Sequence, residues 1–332
     1  MKRTKKDFNF LCGILRSREY QLLPPQKLET LLGLNDYKAV FNQLPELPFS
    51  TELHRQPGME GIEAGFRAEL AELKELLAKF SPSEEFSRLV FLPWDFFNLK
   101  SAVLQKLRAR EAEEFFGPEG EVGIKELKAM AAAMEFTSLP KHLFEALQRA
   151  WVAYYEEEKD TQSFEIALDR EKQRAVGEAA RELSGDLYRY WQRLAAVKLA
   201  EVFLRAYFAQ IPWRTVRWGF SGYRDVDKLK SFYSLKPQEW ESRIPALSQQ
   251  PLQRILLAVR EGVDMEKAVA EESRSCASSI QDWRYRPPSL EYAYYFLMRK
   301  LADLYNLRLI LICKANRIAE QEIRKRVRDA FV

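Results

Sequence analysis

The chain has 332 residues, 47% of them apolar and 30% charged, with 13 glycines and a formal net charge of +4. This balance excludes a disordered or fibrous chain and leaves apolar material for two or three packed units. The charge is small and dispersed, so nucleic acid, which binds where contiguous cations release counterions, is not an expected partner.

The opening Met1-Lys2-Arg3-Thr4-Lys5-Lys6-Asp7 is basic, but Arg16, Arg18 and Glu19 arrive too soon for an apolar signal core to follow. Over Gly61–Phe80 the apolar residues Ile62, Phe66, Leu70, Leu73, Leu77 and Phe80 recur in steps of three and four, which predicts a helix with one buried stripe. Ser81-Pro82-Ser83-Glu84 then reads as a capping box, with Ser81 as the cap and proline at the first helical position. Pro93 is expected to end or kink that helix and open another running to about Arg110. Glycine and proline mark loops at Gly117–Gly123, Ile211–Tyr223, Lys236–Pro251 and Arg284–Ser289. Between them, Ser184–Ala209 predicts a long helix with Leu187, Trp191, Leu194 and Val197 inward. A third long helix begins after Pro287-Pro288, capped by Ser289, and runs to Asn316 as a left-handed stop. Ile318–Phe331 predicts a final amphipathic helix. Alternating β-branched runs with Asn-Gly turns are almost absent. The expected fold class is therefore all-α. No apolar run approaches the roughly 20 residues of a spanning helix, so no direct membrane span is expected. Three cysteines, Cys12, Cys276 and Cys313, make no even disulfide framework and suit a reducing cytoplasm.

An internal repeat organises these helices. Asn98-Leu99-Lys100, Phe203-Leu204-Arg205 and Asn306-Leu307-Arg308 lie 105 and 103 residues apart, each on a predicted long helix. An apolar residue follows each leucine by four: Val103, Phe208 and Leu311. Leucine and its i+4 partner share a face, so each helix repeats one packing stripe. Asp95 and Asp303 stand three residues before Asn98 and Asn306, whereas the middle copy has Ala200 and Phe203 at these places. Asp and Asn are mediocre helix formers, and at i, i+3 they face one way. The expected role is a polar clamp, with the acid meeting a cation and the amide meeting backbone groups of a neighbouring loop. The copies divide the chain into three helical repeats, 1–115, 116–222 and 223–332.

The residue types of common active sites are thin. His54 and His142, 88 residues apart, lack the neighbours of a zinc site. Phosphate-cradling and dinucleotide glycine patterns are missing, as is a nucleophile elbow. Glu113-Glu114 and Glu156-Glu157-Glu158 are expected to be solvated charge runs rather than acid–base pairs. No catalytic residue, metal site or cofactor is therefore expected. Trp213 and Trp218, beside Arg214, Arg217 and Arg224, suit a protein interface better than base stacking. From Arg284 to Val332 there are eleven Lys/Arg against five Asp/Glu, the one marked charge skew.

The run Pro93-Trp94-Asp95-Phe96-Phe97-Asn98-Leu99-Lys100 resembles the hallmark segment of the V-type ATPase C-subunit family, whose eukaryotic members are called d. Tyr292–Val327, with Met298-Arg299-Lys300, Asp303, Asn306-Leu307-Arg308, Lys314 and Asn316-Arg317-Ile318, resembles that family's C-terminal signature. Asp7-Phe8-Asn9-Phe10-Leu11 resembles its opening helix. The likeness is weakest over about 115–185, and Phe203 departs from the usual Asn. It implies three similar helical bundles in a pseudo-three-fold funnel on the cytoplasmic side of the membrane. It implies a non-catalytic central-rotor subunit with the shaft subunits D and F and the proteolipid rotor ring as partners. Asp95, Asn98, Lys100, Arg205, Asp303, Asn306 and Arg308 would be its structural signature, and Arg324, Lys325 and Arg328 a surface for an acidic partner. A helical-repeat adaptor unrelated to rotary ATPases is the alternative.

Overall fold

In a computed structural model, the structure describes residues 8–44, 48–108, 116–324 and 326–327. Among the described residues there are sixteen α-helices and no strand. They are α1 (Asn9–Ser17), α2 (Pro25–Gly33), α3 (Tyr37–Phe41), α4 (Pro48–Arg55), α5 (Met59–Phe80), α6 (Glu84–Arg108), α7 (Ile124–Ala133) and α8 (Lys141–Glu156). There follow α9 (Thr161–Leu183), α10 (Gly185–Phe208), α11 (Trp213–Val216), α12 (Val226–Tyr233), α13 (Gln250–Arg260), α14 (Met265–Ser278), α15 (Leu290–Ala315) and α16 (Glu320–Arg324). None is long and apolar enough to cross a membrane. The chain divides into two compact units, one of residues 1–87 with 277–332, the other of residues 88–276.

In the first unit α5 packs on α15 and on α4. Ile62, Phe66, Leu70, Leu73 and Leu77 are buried as their spacing predicts, and Phe66 meets Tyr305 at 5.3 Å. Phe80, the last residue of that stripe, instead stays partly exposed and packs against Phe10 at 5.4 Å. Gly65 lets α4 approach: a Cβ there would stand 2.5 Å from the Phe49 carbonyl oxygen. The helix α15 begins where expected, with Ser289 accepting the Tyr292 amide at 3.3 Å. Its end differs. Asn316 has φ −88°, and the left-handed residue is Arg317, φ 58°, whose neighbour Ile318 closes the turn onto the Cys313 carbonyl. Of the predicted terminal helix only α16 is seen, since residues 326–327 are non-helical and Lys325 and 328–332 lie outside the described residues.

Two expectations about α6 are corrected. Ser83, not Ser81, caps it by accepting the Phe86 amide, while Ser81 accepts the Ser83 amide one step earlier. Pro82 thus precedes the helix. Pro93 neither ends α6 nor opens another helix, since Glu84–Arg108 is unbroken. A proline forfeits one helical hydrogen bond, and here Phe86, Leu89, Val90, Phe96, Leu99 and Val103 are buried around it, which outweighs that loss.

In the second unit α8, α9 and α10 pack in succession, and α10 packs on α13. Ser184 caps α10 by accepting the Asp186 and Leu187 amides. Leu187 and Val197 are buried, Trp191 and Leu194 half-buried. The core gathers Val197, Phe203, Phe220, Phe232, Trp240 and Ile255. Trp213 stacks on Phe220 at 5.4 Å, and Trp218 donates to Glu157 at 3.3 Å, so both indoles are half-buried within this unit. Glu157 departs from the expected solvated run: its carboxylate is covered and paired with Arg217 at 3.1 Å, because Arg214, Arg217 and Trp218 close over it. Glu113-Glu114 lie outside the described residues.

Candidate functional site

The signature residues sit on the three long helices α6, α10 and α15, and each unit shows what they hold. Within the second unit, Asp95 and Asn98 are fully buried one turn apart on α6. Asp95 Oδ1 accepts the Val122 amide at 3.0 Å. Asn98 accepts the Gly117 amide through Oδ1 at 2.8 Å and donates through Nδ2 to the Pro118 carbonyl at 2.7 Å. Two side chains thereby fasten the connection 116–123, whose backbone polar groups have no helix to satisfy them. Gly120 permits the approach: a Cβ would lie 2.0 Å from Asp95 Oδ1. Lys100 reaches α9 and pairs with Asp169 at 2.8 Å, alongside Lys172. Burial pushes the Asp169 carboxyl up, but Lys172 and Lys100 outweigh it and hold the group below the usual carboxylate range.

Within the first unit, Asp303 on α15 accepts the Leu23 amide at 2.9 Å and pairs with Arg299 at 3.1 Å. Arg299 also donates to the Leu23 carbonyl. The chain entering α2 is thus gripped at both backbone polar groups of Leu23. Burial drives the Asp303 carboxyl above its ordinary value, against the pull of Arg299 and the Leu23 amide. Asn306 is buried beside it. Arg308 forks onto Glu63 of α5 at 2.7 Å and lies over the Phe66 ring. Lys300 points to Glu69 of α5 at 3.0 Å, with only 2% and 1% of the two side chains exposed. That contact is an ion pair without hydrogen-bond angles, while Glu69 also accepts the Phe49 amide. Lys314 donates to the Leu32 and Leu34 carbonyls, neutralising the C-terminal end of α2.

The middle copy is built otherwise. Arg205 pairs with Glu201 of its own helix at 2.8 Å and stays largely exposed. Phe203 is fully buried among Tyr207, Phe220, Tyr233 and Trp240, with ring centroids 5.7–6.3 Å away. An aromatic cluster stands where the other copies place a carboxylate and an amide. Arg324 pairs with Glu29 of α2 and Glu320 of α16 at 2.6 and 2.8 Å; Lys325 and Arg328 lie outside the described residues.

Sequence reasoning missed the Lys300–Glu69 pair and the grip of Lys314 on α2. The signal for the first was present: Glu69 falls on the apolar stripe of α5 between Phe66 and Leu70, an unusual place for a charge without a partner. His54 packs edge-on to Phe41 at 4.4 Å. His142 is held below its ordinary pKa by burial, against Glu121 and together with Arg88. Among the described residues no three His, Cys, Asp or Glu side chains gather as a metal site. All three cysteines are buried thiols outside any disulfide, and Cys12 donates to the Ser289 carbonyl at 3.3 Å.

These contacts lash long helices to loops and to each other. The family model described as ATP synthase (C/AC39) subunit matches residues 11–326, and so spans both units and all three signature copies. No curated protein matches the chain. The chain belongs to the ATP synthase (C/AC39) subunit family and is a subunit of a V-type ATP synthase.

Proposed function

We propose that this chain is a non-catalytic central-rotor subunit that links the shaft subunits D and F to the proteolipid ring of the membrane sector. It passes torque between them, so that ATP chemistry elsewhere is coupled to proton or sodium transport. In this reading the three sequence thirds 1–115, 116–222 and 223–332 are helical bundles arranged as a pseudo-three-fold funnel, seated on the cytoplasmic face of the membrane.

The observation that supports the reading best is the bracing of the long helices. A coupling element must deform little under load. Here α6 is tied to its following loop by Asp95 and Asn98 and to α9 by Lys100. The helix α15 is tied to α2 and α5 by Asp303, Lys314, Lys300 and Arg308. Interiors packed and cross-linked in this way have low compressibility and transmit strain. The mating surfaces of such a part are polar and charge-complementary if the sectors are to separate reversibly. Arg324, Lys325 and Arg328 are proposed for one of them, facing an acidic shaft or ring loop.

The test is deletion and add-back. Membranes lacking this chain should hydrolyse ATP without driving ion uptake, and the purified chain should restore coupling. Full ion pumping in its absence would reject the rotor-link role. Charge reversal at Arg324, Lys325 and Arg328 to Glu should weaken attachment to the shaft or ring; unchanged attachment to both removes those three from the interface.

A further inference from the structure

The outer copies hold neighbouring backbone with carboxylate and amide side chains. The middle copy has neither, yet backbone groups beyond its helix ends also need partners, since no further helical turn satisfies them. Ile211 lies three residues past the end of α10, and Leu235 two past the end of α12.

Phenol groups meet both. Tyr207, on the last turn of α10 and one turn on from Phe203, donates its hydroxyl to the Leu235 carbonyl at 2.8 Å. Tyr233, the last residue of α12, donates its hydroxyl to the Ile211 carbonyl. The two bonds cross: each helix supplies a tyrosine that holds the backbone leaving the other. Trp240 adds a third donor, its Nε1 bonding the Phe232 carbonyl at 3.2 Å.

The rings fix where these hydroxyls point. Tyr207 and Tyr233 meet edge to face at 5.9 Å, and Trp240 stands edge-on to Tyr207 at 5.1 Å. Phe203, fully buried, lies against Tyr207, Tyr233 and Trp240. A ring packed on several sides has little rotamer freedom left to lose, so its hydroxyl bond costs little further entropy. Burial holds both phenols above their ordinary pKa, with Glu239 acting in the same direction on Tyr207, so each keeps the proton it donates. An asparagine at 203 would remove the ring on which both tyrosines rest. The aromatic residue at that position and the crossed bonds therefore belong together.

We propose that Tyr207 and Tyr233 are the middle copy's counterpart of the Asp–Asn clamp: a crossed pair of hydroxyls that locks the ends of α10 and α12 together and makes their junction part of the path by which the chain carries load. The inference rests on the torque-passing role proposed above and adds two positioning residues to it. Removing two oxygen atoms, with every ring left in place, should then loosen coupling.

The experiment compares the unaltered chain with Y207F/Y233F and with each single variant. Phenylalanine keeps the packing, and circular dichroism checks that helicity is unchanged. Hydrogen exchange on the purified chain reads the clamp: over 209–212 and 233–236 the double variant should exchange at least about fivefold faster, the effect of losing an ordinary hydrogen bond. Each protein is then added to membranes lacking the chain, and ion uptake per ATP hydrolysed is scored per chain bound. The expected result is a loss of uptake per ATP in the double variant and a smaller loss in each single one. Unchanged exchange over both segments would overturn the clamp. Faster exchange with unchanged uptake per ATP would overturn its place in the load path. Failure of the unaltered chain to restore coupling would overturn the rotor-link reading and the load path with it, while the exchange rates still decide the clamp.

Discussion

Replacing Lys300 by Met should destabilise the first unit by about 3–5 kcal/mol, the cost of stranding a buried charge. The size follows from the geometry. Lys300 Nζ lies 3.0 Å from Glu69 Oε2, and with an effective dielectric near 20 that separation corresponds to roughly 5 kcal/mol of attraction. Both side chains are almost wholly enclosed, so water cannot replace the lost ammonium. The Phe49 amide, 3.3 Å from Glu69 Oε1, remains as the carboxylate's partner, and one charge-assisted hydrogen bond is worth only about 1.5–3 kcal/mol. The double variant K300M/E69L removes both charges and should recover most of the loss, because an apolar pair of similar volume avoids two desolvation penalties. Urea unfolding followed by circular dichroism, run as a double-mutant cycle, measures the coupling. The reasoning is refuted if K300M costs less than about 1 kcal/mol, or if the double variant is no more stable than the single.

Further outcomes follow from the same contacts. N98L should expose the Gly117 amide and Pro118 carbonyl and cost roughly 2–4 kcal/mol, with hydrogen exchange at Gly117 accelerating first; slow exchange there would mean the loop is held by something else. F203N, which writes the outer copies' amide into the middle helix, should cost about 3–5 kcal/mol through a cavity and an unpaired polar group among Tyr207, Tyr233 and Trp240; a near-neutral change in thermal midpoint would contradict this packing. The Asp169 carboxyl is held below its ordinary range, so its stabilisation is fully present above the unfolded value near 3.9 and is lost as pH falls through the depressed folded value. K100Q removes one of the two ammonium groups responsible, so the acid-side loss of stability should become shallower. Equal slopes in urea titrations below about pH 5 would remove Lys100 from that linkage.

The legible part of the site was the part written in neighbouring residues. Asp95 and Asn98 fasten a loop that begins within about twenty residues of them; their spacing on one helix face pointed to a clamp and gave Asn98 its loop backbone, but Asp95, expected to meet a cation, accepts the Val122 amide instead. Asp303 meets Leu23, Lys314 meets Leu32, and Lys300 meets Glu69, partners more than 230 positions away. No local pattern names such a partner, because chain distance carries no information about which loops fold back.

Helix existence needed only local chemistry. The periodic stripe of α5 and the serine caps of α10 and α15 act within one or two turns, so sequence alone determined them. Tertiary packing decided the rest. It carried α6 through Pro93, because burial on both sides outweighs one missing hydrogen bond. It put the left-handed turn on Arg317 rather than Asn316, and it covered Glu157 with arginines. It also joined residues 1–87 with 277–332 in one compact unit, whereas the sequence copies are spaced in thirds. Local signals specify which hydrogen bonds a segment makes with itself, but the free energy that chooses among competing ends, kinks and partners comes from surface buried against residues far away in the chain.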